Sequence, residues 1–205
     1  ILRDQVGFKL GPLELFDLTA LDVSHHVIES NYRQYYDEPR YRPNVITAQR
    51  LAGGVVGKKV GEGFYKYVDG VQQVPAEPPV PVVEHIPPVW VSPRAARRSE
   101  LLQLLKDLGA KIETGQSPSP EALTIVAPLG FDVTTVAVVD RHDPARTVGI
   151  DMLVPDSATK RRVIATNPAT RADMRDAAHA LFARDGKPVS VIRDSGGFVT
   201  QRVVA

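Results

Sequence analysis

A proline-rich stretch near the middle of the chain constrains the fold more than any other feature. Seven of the 17 prolines lie between Pro75 and Pro93. Proline fixes the backbone angle φ and lacks an N–H donor, so this spacing favours an extended, polyproline-like segment. The 205 residues are enough for one large domain or two small ones. We therefore expect a linker at residues 71–88 with a separate core on each side.

Helical patterns predominate before the linker. Gly11-Pro12 opens a helix that runs to Leu21, and Asp22 can cap a second helix that reaches about residue 36. A third helix is expected at residues 45–52. The glycines that follow should end regular structure, because glycine readily takes the left-handed angles found at helix ends.

The pattern after the linker alternates between strands and helices, which is typical of an α/β domain. One helix is expected at residues 99–108, and another is capped by Thr170 and ended by Gly186. Residues 133–140 are ambiguous, since their Thr and Val favour a strand while their place between two strands favours a crossover helix. We favour the helix. The expected strands lie at residues 89–91, 110–113, 122–127, 147–153, 162–166 and 188–192.

Composition argues against several classes of partner. Lys and Arg total 25 against 24 for Asp and Glu, so no bulk positive field draws nucleic acid. The absence of cysteine removes disulfides and thiolate metal sites and fits a cytoplasmic protein. No apolar run approaches the roughly 18 residues that span a bilayer. We expect a cytoplasmic protein with neither nucleic acid nor membrane as a partner.

Two motifs before the linker carry a recognisable pattern. They are GFKLGPLELFDL at residues 7–18, followed by Leu21-Asp22, and GKKVGEGFYKY at residues 57–67. In this order and at this separation they resemble the helical C-terminal domain of 3-hydroxyacyl-CoA dehydrogenases. Taken singly, each glycine could serve only a turn and each aromatic residue only a core.

Two segments after the linker resemble the same family. DPARTVGID at residues 143–151 is similar to the stretch that leads into the catalytic His, and RDSGGFVTQR at 193–202 is similar to the hinge into the helical domain. In double-length members a second copy follows the first. The first residues suggest a helix already under way and the last ones a helix just begun, so we expect both ends to be cut from a longer protein.

The resemblance implies an α + α/β fold class, in which a helical dehydrogenase C-terminal domain fragment precedes an abridged Rossmann-like α/β unit. The corresponding domains are residues 1–70 for the helical fragment, 71–88 for the linker, 89–194 for the degenerate Rossmann-like unit and 195–205 for the first helix of a second helical domain.

The resemblance also implies the activity of the parent protein. It would be an NAD-dependent, cytoplasmic, homodimeric enzyme that oxidises a 3-hydroxyacyl-CoA to the 3-ketoacyl-CoA in β-oxidation or another part of fatty acid metabolism, or in aromatic acid breakdown. The family uses a His general base, oriented by a Glu and helped by Ser and Asn. The His position falls on Asp151, a carboxylate that is ionised near neutral pH in ordinary surroundings, and the Asn position falls on Gln201. The Glu and Ser are not recognisable near residues 160–163 and 127–130.

We therefore assign no catalytic residue to this chain. It would contribute dimer contacts and a wall of the acyl-CoA cleft without catalysis. The alternatives are a non-enzymatic scaffold or a CoA-sensing module.

Cofactor binding is also expected to be absent from this chain. A dinucleotide fold needs a Gly-rich turn after its first strand so that backbone amides can approach the pyrophosphate. Here Val91 is followed by SPRAARR at residues 92–98, without glycine. Arg94, Arg97 and Arg98 are weak candidates for holding a CoA phosphate, with an exposed solvated cluster as the alternative. We assign no cofactor-binding residue.

No metal site is expected either. His25 and His26 are neighbours on a predicted helix, where side chains point about 100° apart, so they cannot share one metal. Asp140, His142 and Asp143 could suggest a metal site, but polar loop residues are the simpler interpretation. The last remaining candidates are aromatic residues that could line an interface or an acyl pocket, or fill a core: Tyr32, Tyr35, Tyr36 and Tyr41.

Overall fold

The computed structural model describes residues 1–204. The chain forms two compact units, one of residues 9–76 and one of residues 1–8 together with those from 77 onward. The division after residue 76 lies within the proline-rich segment. The first helix, α1 (Leu2–Val6), belongs to the second unit, whereas the sequence placed it in the helical one. Asp4, in the first turn of this helix, accepts hydrogen bonds from Lys160 N (2.7 Å) and Arg161 Nε (3.0 Å) within that unit.

The helical unit closely follows the predicted elements. Ala20 precedes α3 at a positive φ of 63°, so the expectation that Asp22 caps this helix is wrong. Asp22 lies in the first turn, where its carboxylate pairs with Lys59. The unit comprises α2 (Pro12–Thr19), α3 (Leu21–Gln34), α4 (Val45–Ala52), β1 (Lys66–Val68) and β2 (Val71–Gln73).

The antiparallel β1–β2 hairpin was not predicted, and its second strand lies in residues assigned to the linker. Asp69 and Gly70 form its turn with φ of 50° and 73°. Two positive φ angles are what a tight two-residue hairpin turn requires, and Asp-Gly is a favoured pair for it. The Asp-Gly pair was therefore an available signal.

A mixed sheet forms the centre of the α/β unit, in the order β3-β4-β5-β6-β7. β5 and β6 are antiparallel, and the other neighbours are parallel. The expected α/β class is confirmed. The strands are β3 (Val89–Val91), β4 (Leu123–Val126), β5 (Thr147–Ile150), β6 (Arg162–Thr166) and β7 (Val189–Arg193).

Helices cover both faces of this sheet: α5 (Arg98–Asp107), α6 (Val133–Val139), α7 (Ala172–Phe182) and, at the end of the chain, α8 (Gln201–Val204). Leucines of α5 and the apolar stripe of α7 bury one face, while Val133 of α6 packs with Phe198 on the other. The ambiguous residues 133–140 thus form the expected crossover helix. A Cβ on Gly149 would lie 2.5 Å from Val133 Cγ2, so glycine permits this close packing of α6.

The N-terminus of α7 differs from the prediction. Arg171 precedes the helix, and no side chain caps it. Thr170 Oγ1 instead donates to the carbonyl of Thr147 at 3.1 Å, so the predicted Thr170 cap is wrong.

The strand order of the sheet has a switch point at β3, where consecutive segments of the chain add to opposite edges of the strand. The predicted strand at residues 110–113 is reduced to one bridge, in which Val89 N donates to Lys111 O and Glu113 N to Val89 O, both at 2.8 Å. This segment lies on the edge of β3 away from β4. The chain therefore passes first to one side of β3 and then to the other, and the crevice at the carboxyl ends of β3 and β4 is where such sheets bind ligands.

Among residues 1–204, no helix is both long enough and apolar enough to cross a membrane.

Candidate functional site

The crevice at the carboxyl ends of β3 and β4 holds a cavity of about 460 Å³, which we call the switch-point pocket. Its volume lies in the roughly 300–1,000 Å³ range of small-ligand sites. The turn after β3, the end of β4 and α6 supply its walls. Most of the lining is apolar, from Ala95, Ala96, Val126, Ala127, Pro128, Leu129, Phe131, Val136 and Val139.

The turn after β3 uses its own backbone donors. Arg94 N donates to Ser92 Oγ (3.2 Å), and Ala95 N donates to Ser92 O (3.1 Å). Ala96 N donates to the carbonyl of Ala127 (2.9 Å), and Pro93 has no N–H. The amides of residues 94–96 are thus engaged within the chain, whereas a dinucleotide fold needs free amides in this turn to face the pyrophosphate. These residues do not fit an NAD pyrophosphate.

The three arginines of this turn point to different partners. Arg94 pairs with Asp140, whereas Arg97 pairs with Glu100 at 3.0 Å on its own helix. Arg98 opens α5 and lines a separate hollow beside Lys106. The structure does not bring the three guanidinium groups together.

Asp151 and Gln201, the positions matched to the family's His and Asn, lie in direct contact. Gln201 Nε2 donates to Asp151 Oδ1 at 2.8 Å and to Pro128 O at 3.2 Å. Gln201 Oε1 accepts from Gly130 N at 2.8 Å, so its amide is fully engaged. Asp151 Oδ1 also accepts from Leu153 N at 3.1 Å, while Oδ2 is buried without a partner among residues 1–204. Both side chains are buried. The pair fastens α8 to the ends of β4 and β5.

The segment before α8 is held by a cap that sequence reasoning missed. Both carboxylate oxygens of Asp194 accept backbone donors at the start of α6, from Val133 N (2.7 Å) and Thr134 N (2.9 Å). Thr200 Oγ1 donates to Gln5 Oε1, which joins this segment to α1. The cap spans 61 residues of sequence, so no local pattern could have indicated it.

The two motifs of the helical unit meet at one buried carboxylate. Asp17 accepts hydrogen bonds from Phe64 N (2.7 Å), Tyr65 N (2.9 Å) and Tyr67 OH (3.1 Å). A Cβ on Gly63 would lie 2.1 Å from Asp17 Oδ1, and one on Gly57 would lie 2.5 Å from Asp17 O. Gly57 and Gly63 of the second motif are therefore required by the aspartate of the first.

Burial and the hydrogen bond to Asp17 raise the pKa of Tyr67 to about 12.

Two of the histidines, His25 and His142, have packing roles in this structure. Thr47 Oγ1 donates to Asn44 O (2.7 Å), so at the 3.0 Å contact His25 Nδ1 must donate to Thr47 Oγ1. His142 stands edge-on to Trp90 at 5.3 Å, and burial lowers the pKa of its imidazole. Within residues 1–204, no three His, Cys, Asp or Glu side chains are grouped to hold a metal ion.

The tyrosines near the end of α3 do not fill a core. Tyr35 and Tyr41 contact each other with ring centroids 4.6 Å apart, and both are exposed. Tyr36 is 96% exposed. Core packing is therefore not observed for these three, Tyr32 is half-buried, and a role in an interface or an acyl pocket stays a prediction.

Comparison with known proteins shows what the chain is similar to. Residues 1–67 match the model of the 3-hydroxyacyl-CoA dehydrogenase C-terminal domain. The 3-hydroxyadipyl-CoA dehydrogenase of Escherichia coli (strain K12) is 28% identical over all of this chain and 37% of its own length. The mitochondrial hydroxyacyl-coenzyme A dehydrogenase of Sus scrofa is 36% identical over 61 residues, which are 30% of this chain and 19% of that protein.

A solved structure is similar to the chain as a whole. The crystal structure of 3-hydroxybutyryl-CoA dehydrogenase from Escherichia coli K12 covers 99% of this chain with a TM-score of 0.66 at 23% identity. The chain spans 37% of that protein, so it corresponds to little more than a third of such relatives. The matches confirm the resemblance drawn from the sequence: residues 1–67 match the 3-hydroxyacyl-CoA dehydrogenase C-terminal domain, and the chain is similar over its whole length to a 3-hydroxyadipyl-CoA dehydrogenase.

Proposed function

We propose that this chain is part of an NAD-dependent 3-hydroxyacyl-CoA dehydrogenase, in which it supplies structure and no catalytic group. Residues 1–70 would be the helical C-terminal domain fragment, and residues 89–194 a degenerate, abridged Rossmann-like unit. The single observation that carries the proposal is the contact between Asp151 and Gln201. In the alignment drawn from the sequence, these two side chains stand at the family's His and Asn positions, and both N–H groups of the amide are used.

The chemistry of this pair argues against catalysis. A general base must reach a substrate proton and alternate between protonation states during turnover. Asp151 is buried and receives hydrogen bonds from Gln201 and Leu153, while Gln201 has no donor left for a substrate. The pair therefore acts as a brace between strands and α8.

The exposed apolar side chains of the helical unit support a homodimer of the parent enzyme. Leu15 and Leu18 of α2 are exposed, as are Val23 and Val27, which lie one turn apart on α3. An apolar surface on a soluble protein commonly marks an interface. We propose that this surface pairs with a second copy and helps to form the wall of an acyl-CoA cleft in a cytoplasmic enzyme.

Two measurements on the chain test these proposals. With NADH and acetoacetyl-CoA, the chain should not consume NADH, and turnover above the buffer rate would contradict the absence of catalytic groups. Light scattering should give a dimer that Leu18→Glu converts to a monomer. The matched control is Val82→Glu in the proline-rich segment, at a fully exposed position. A monomeric wild-type chain would contradict the dimer.

A further inference from the structure

We propose that the switch-point pocket binds a small amphipathic anion, with an alkyl tail inside the pocket and a carboxylate on Arg94. This inference goes beyond the proposed dehydrogenase role and does not depend on it. It concerns the crevice that a dinucleotide would occupy in an intact fold of this kind. The lining of that crevice selects a ligand of different chemistry.

The pocket suits an alkyl chain because its walls offer few polar groups. The amides of residues 94–96 donate to Ser92 and Ala127, as described above. Leu129, Phe131 and Val139 are exposed at the pocket, so an apolar ligand would cover them. Burying such surface contributes about 25 cal/mol per Å². A dinucleotide gains nothing comparable from these walls, and its charged phosphates would lose water there without donors to replace it.

A polar hollow adjoins the pocket and can receive the charged end of the ligand. This second cavity, of about 690 Å³, shares Ser92, Arg94, Val139 and Asp140 with the first. Charged side chains line the hollow, and Arg94, Arg141 and Arg146 outnumber Asp140 and Asp143 by three to two. The balance of charge therefore favours an anion over a cation at this end.

Arg94 stands where the two cavities meet. One nitrogen of its guanidinium, Nη1, bonds to Asp140, and the side chain is 73% exposed. Within residues 1–204 the remaining N–H groups of Arg94 make no hydrogen bond, and a guanidinium can hold a carboxylate with two parallel N–H donors. A monocarboxylate with an aliphatic tail can thus place its tail in the switch-point pocket and its carboxylate on Arg94 at the polar hollow.

Fluorescence of the chain can measure this binding directly. Trp90 is the sole tryptophan of the sequence, and it lines the polar hollow. Titration with octanoate should change its emission to saturation. Octan-1-ol, which has the same tail without the charge, should bind roughly tenfold more weakly or worse, since hydrogen bonds to charged groups contribute about 1.5–3 kcal/mol.

Two matched pairs of variants separate the head and tail contacts. Arg94→Gln should lose the preference for octanoate over octan-1-ol and Arg94→Lys should keep most of it, while Arg97→Gln, whose arginine pairs with Glu100, should behave as wild type. Val139→Ser should weaken both ligands about threefold through lost apolar contact. Val138→Ser on the same helix should not, because Val138 is similarly exposed but does not line the pocket.

Three results would overturn the proposal. The first is no saturable change with octanoate in a chain whose circular dichroism shows it folded. The second is equal affinity for octanoate and octan-1-ol in the wild type. The third is an octanoate affinity that Arg94→Gln and Val139→Ser leave unchanged.

Discussion

The helical unit and the α/β unit contrast in how each satisfies a buried charge. In the helical unit, Asp17 receives two backbone amides and one hydroxyl, and it lies so close to Gly57 and Gly63 that glycine is required. In the α/β unit, the side chain of Arg162 is buried between Asp156 and Asp185, which are charged side chains. The first arrangement depends on backbone shape and the second on ionisation.

The same contrast applies to the glycine-rich segments expected of the family. The glycines at residues 57 and 63 are required by a contact within the chain itself, the close approach of Asp17. The turn after β3 has no glycine, and the amides of its residues 94–96 donate to Ser92 and Ala127. Glycine is therefore found where internal packing needs it and is absent where only a bound cofactor would need it.

The largest expected effect tests the ionic side of this comparison. Arg162→Met should lower the free energy of unfolding of the α/β unit by about 3–5 kcal/mol, because it leaves two aspartates without their buried partner. Urea unfolding followed through Trp90 measures this unit. The control is Arg175→Met, which should cost little because this exposed arginine pairs with its neighbour Asp176 and with no other residue among 1–204. Equal losses in the two variants would contradict the account.

A second substitution tests the requirement for glycine in the helical unit. Gly63→Ala should cost about 3 kcal/mol, since its Cβ would overlap the Asp17 carboxylate. Gly53→Ala is the control, because Gly53 has a helical φ of −79° and its added Cβ would meet ordinary contacts. Hydrogen exchange of the Phe64 and Tyr65 amides, which bond to Asp17, reports the effect locally. Unchanged protection of both amides in Gly63→Ala would disprove the requirement.

Much of the fold follows from sequence, and the exceptions have physical causes. Hydrophobic periodicity and proline positions are local, so α4, β3 and β6 lie within a residue or two of their predicted bounds. The hairpin at Asp69-Gly70 carried a local signal that was not used. The brace between Asp151 and Gln201 and the contacts of Asp17 join residues 47 or more positions apart, which no local pattern encodes.

The pH dependence should differ between the units, beginning on the acid side. Hydrogen bonds from Arg162 lower the pKa of Asp185 from 3.8 to about 2. Burial raises the pKa of Asp156, but bonds from Arg162 and Lys187 outweigh it and leave the pKa low. A carboxylate whose pKa is lower in the folded state stabilises the fold at pH values above its unfolded-state pKa. This stabilisation is lost as the pH falls through the folded-state pKa. The α/β unit should therefore lose stability between about pH 4 and pH 2, and Arg162→Met should show a shallower loss.

The smallest effect concerns the alkaline side of the helical unit. The pKa of Tyr67 is raised to about 12 in the folded state. Its stabilisation of the fold is therefore complete below about pH 10 and is lost as pH rises through 12. Tyr67→Phe should cost about 1 kcal/mol at neutral pH for the lost bond to Asp17. It should also remove this alkaline loss, measured by thermal unfolding at pH 8 and pH 11. If Tyr67→Phe loses as much stability between pH 8 and pH 11 as the wild type does, a group other than Tyr67 causes the loss.

The central claim is that the turn after β3 does not fit a dinucleotide, because it has no glycine, the amides of Arg94, Ala95 and Ala96 are engaged, and Pro93 supplies none. Calorimetry of the chain with NADH tests this most directly, together with amide shifts of Ser92 to Arg98 in NMR spectra. The account predicts no heat of binding and no shift at these amides up to millimolar NADH. Saturable binding that shifts the amides of Arg94, Ala95 and Ala96 would contradict it.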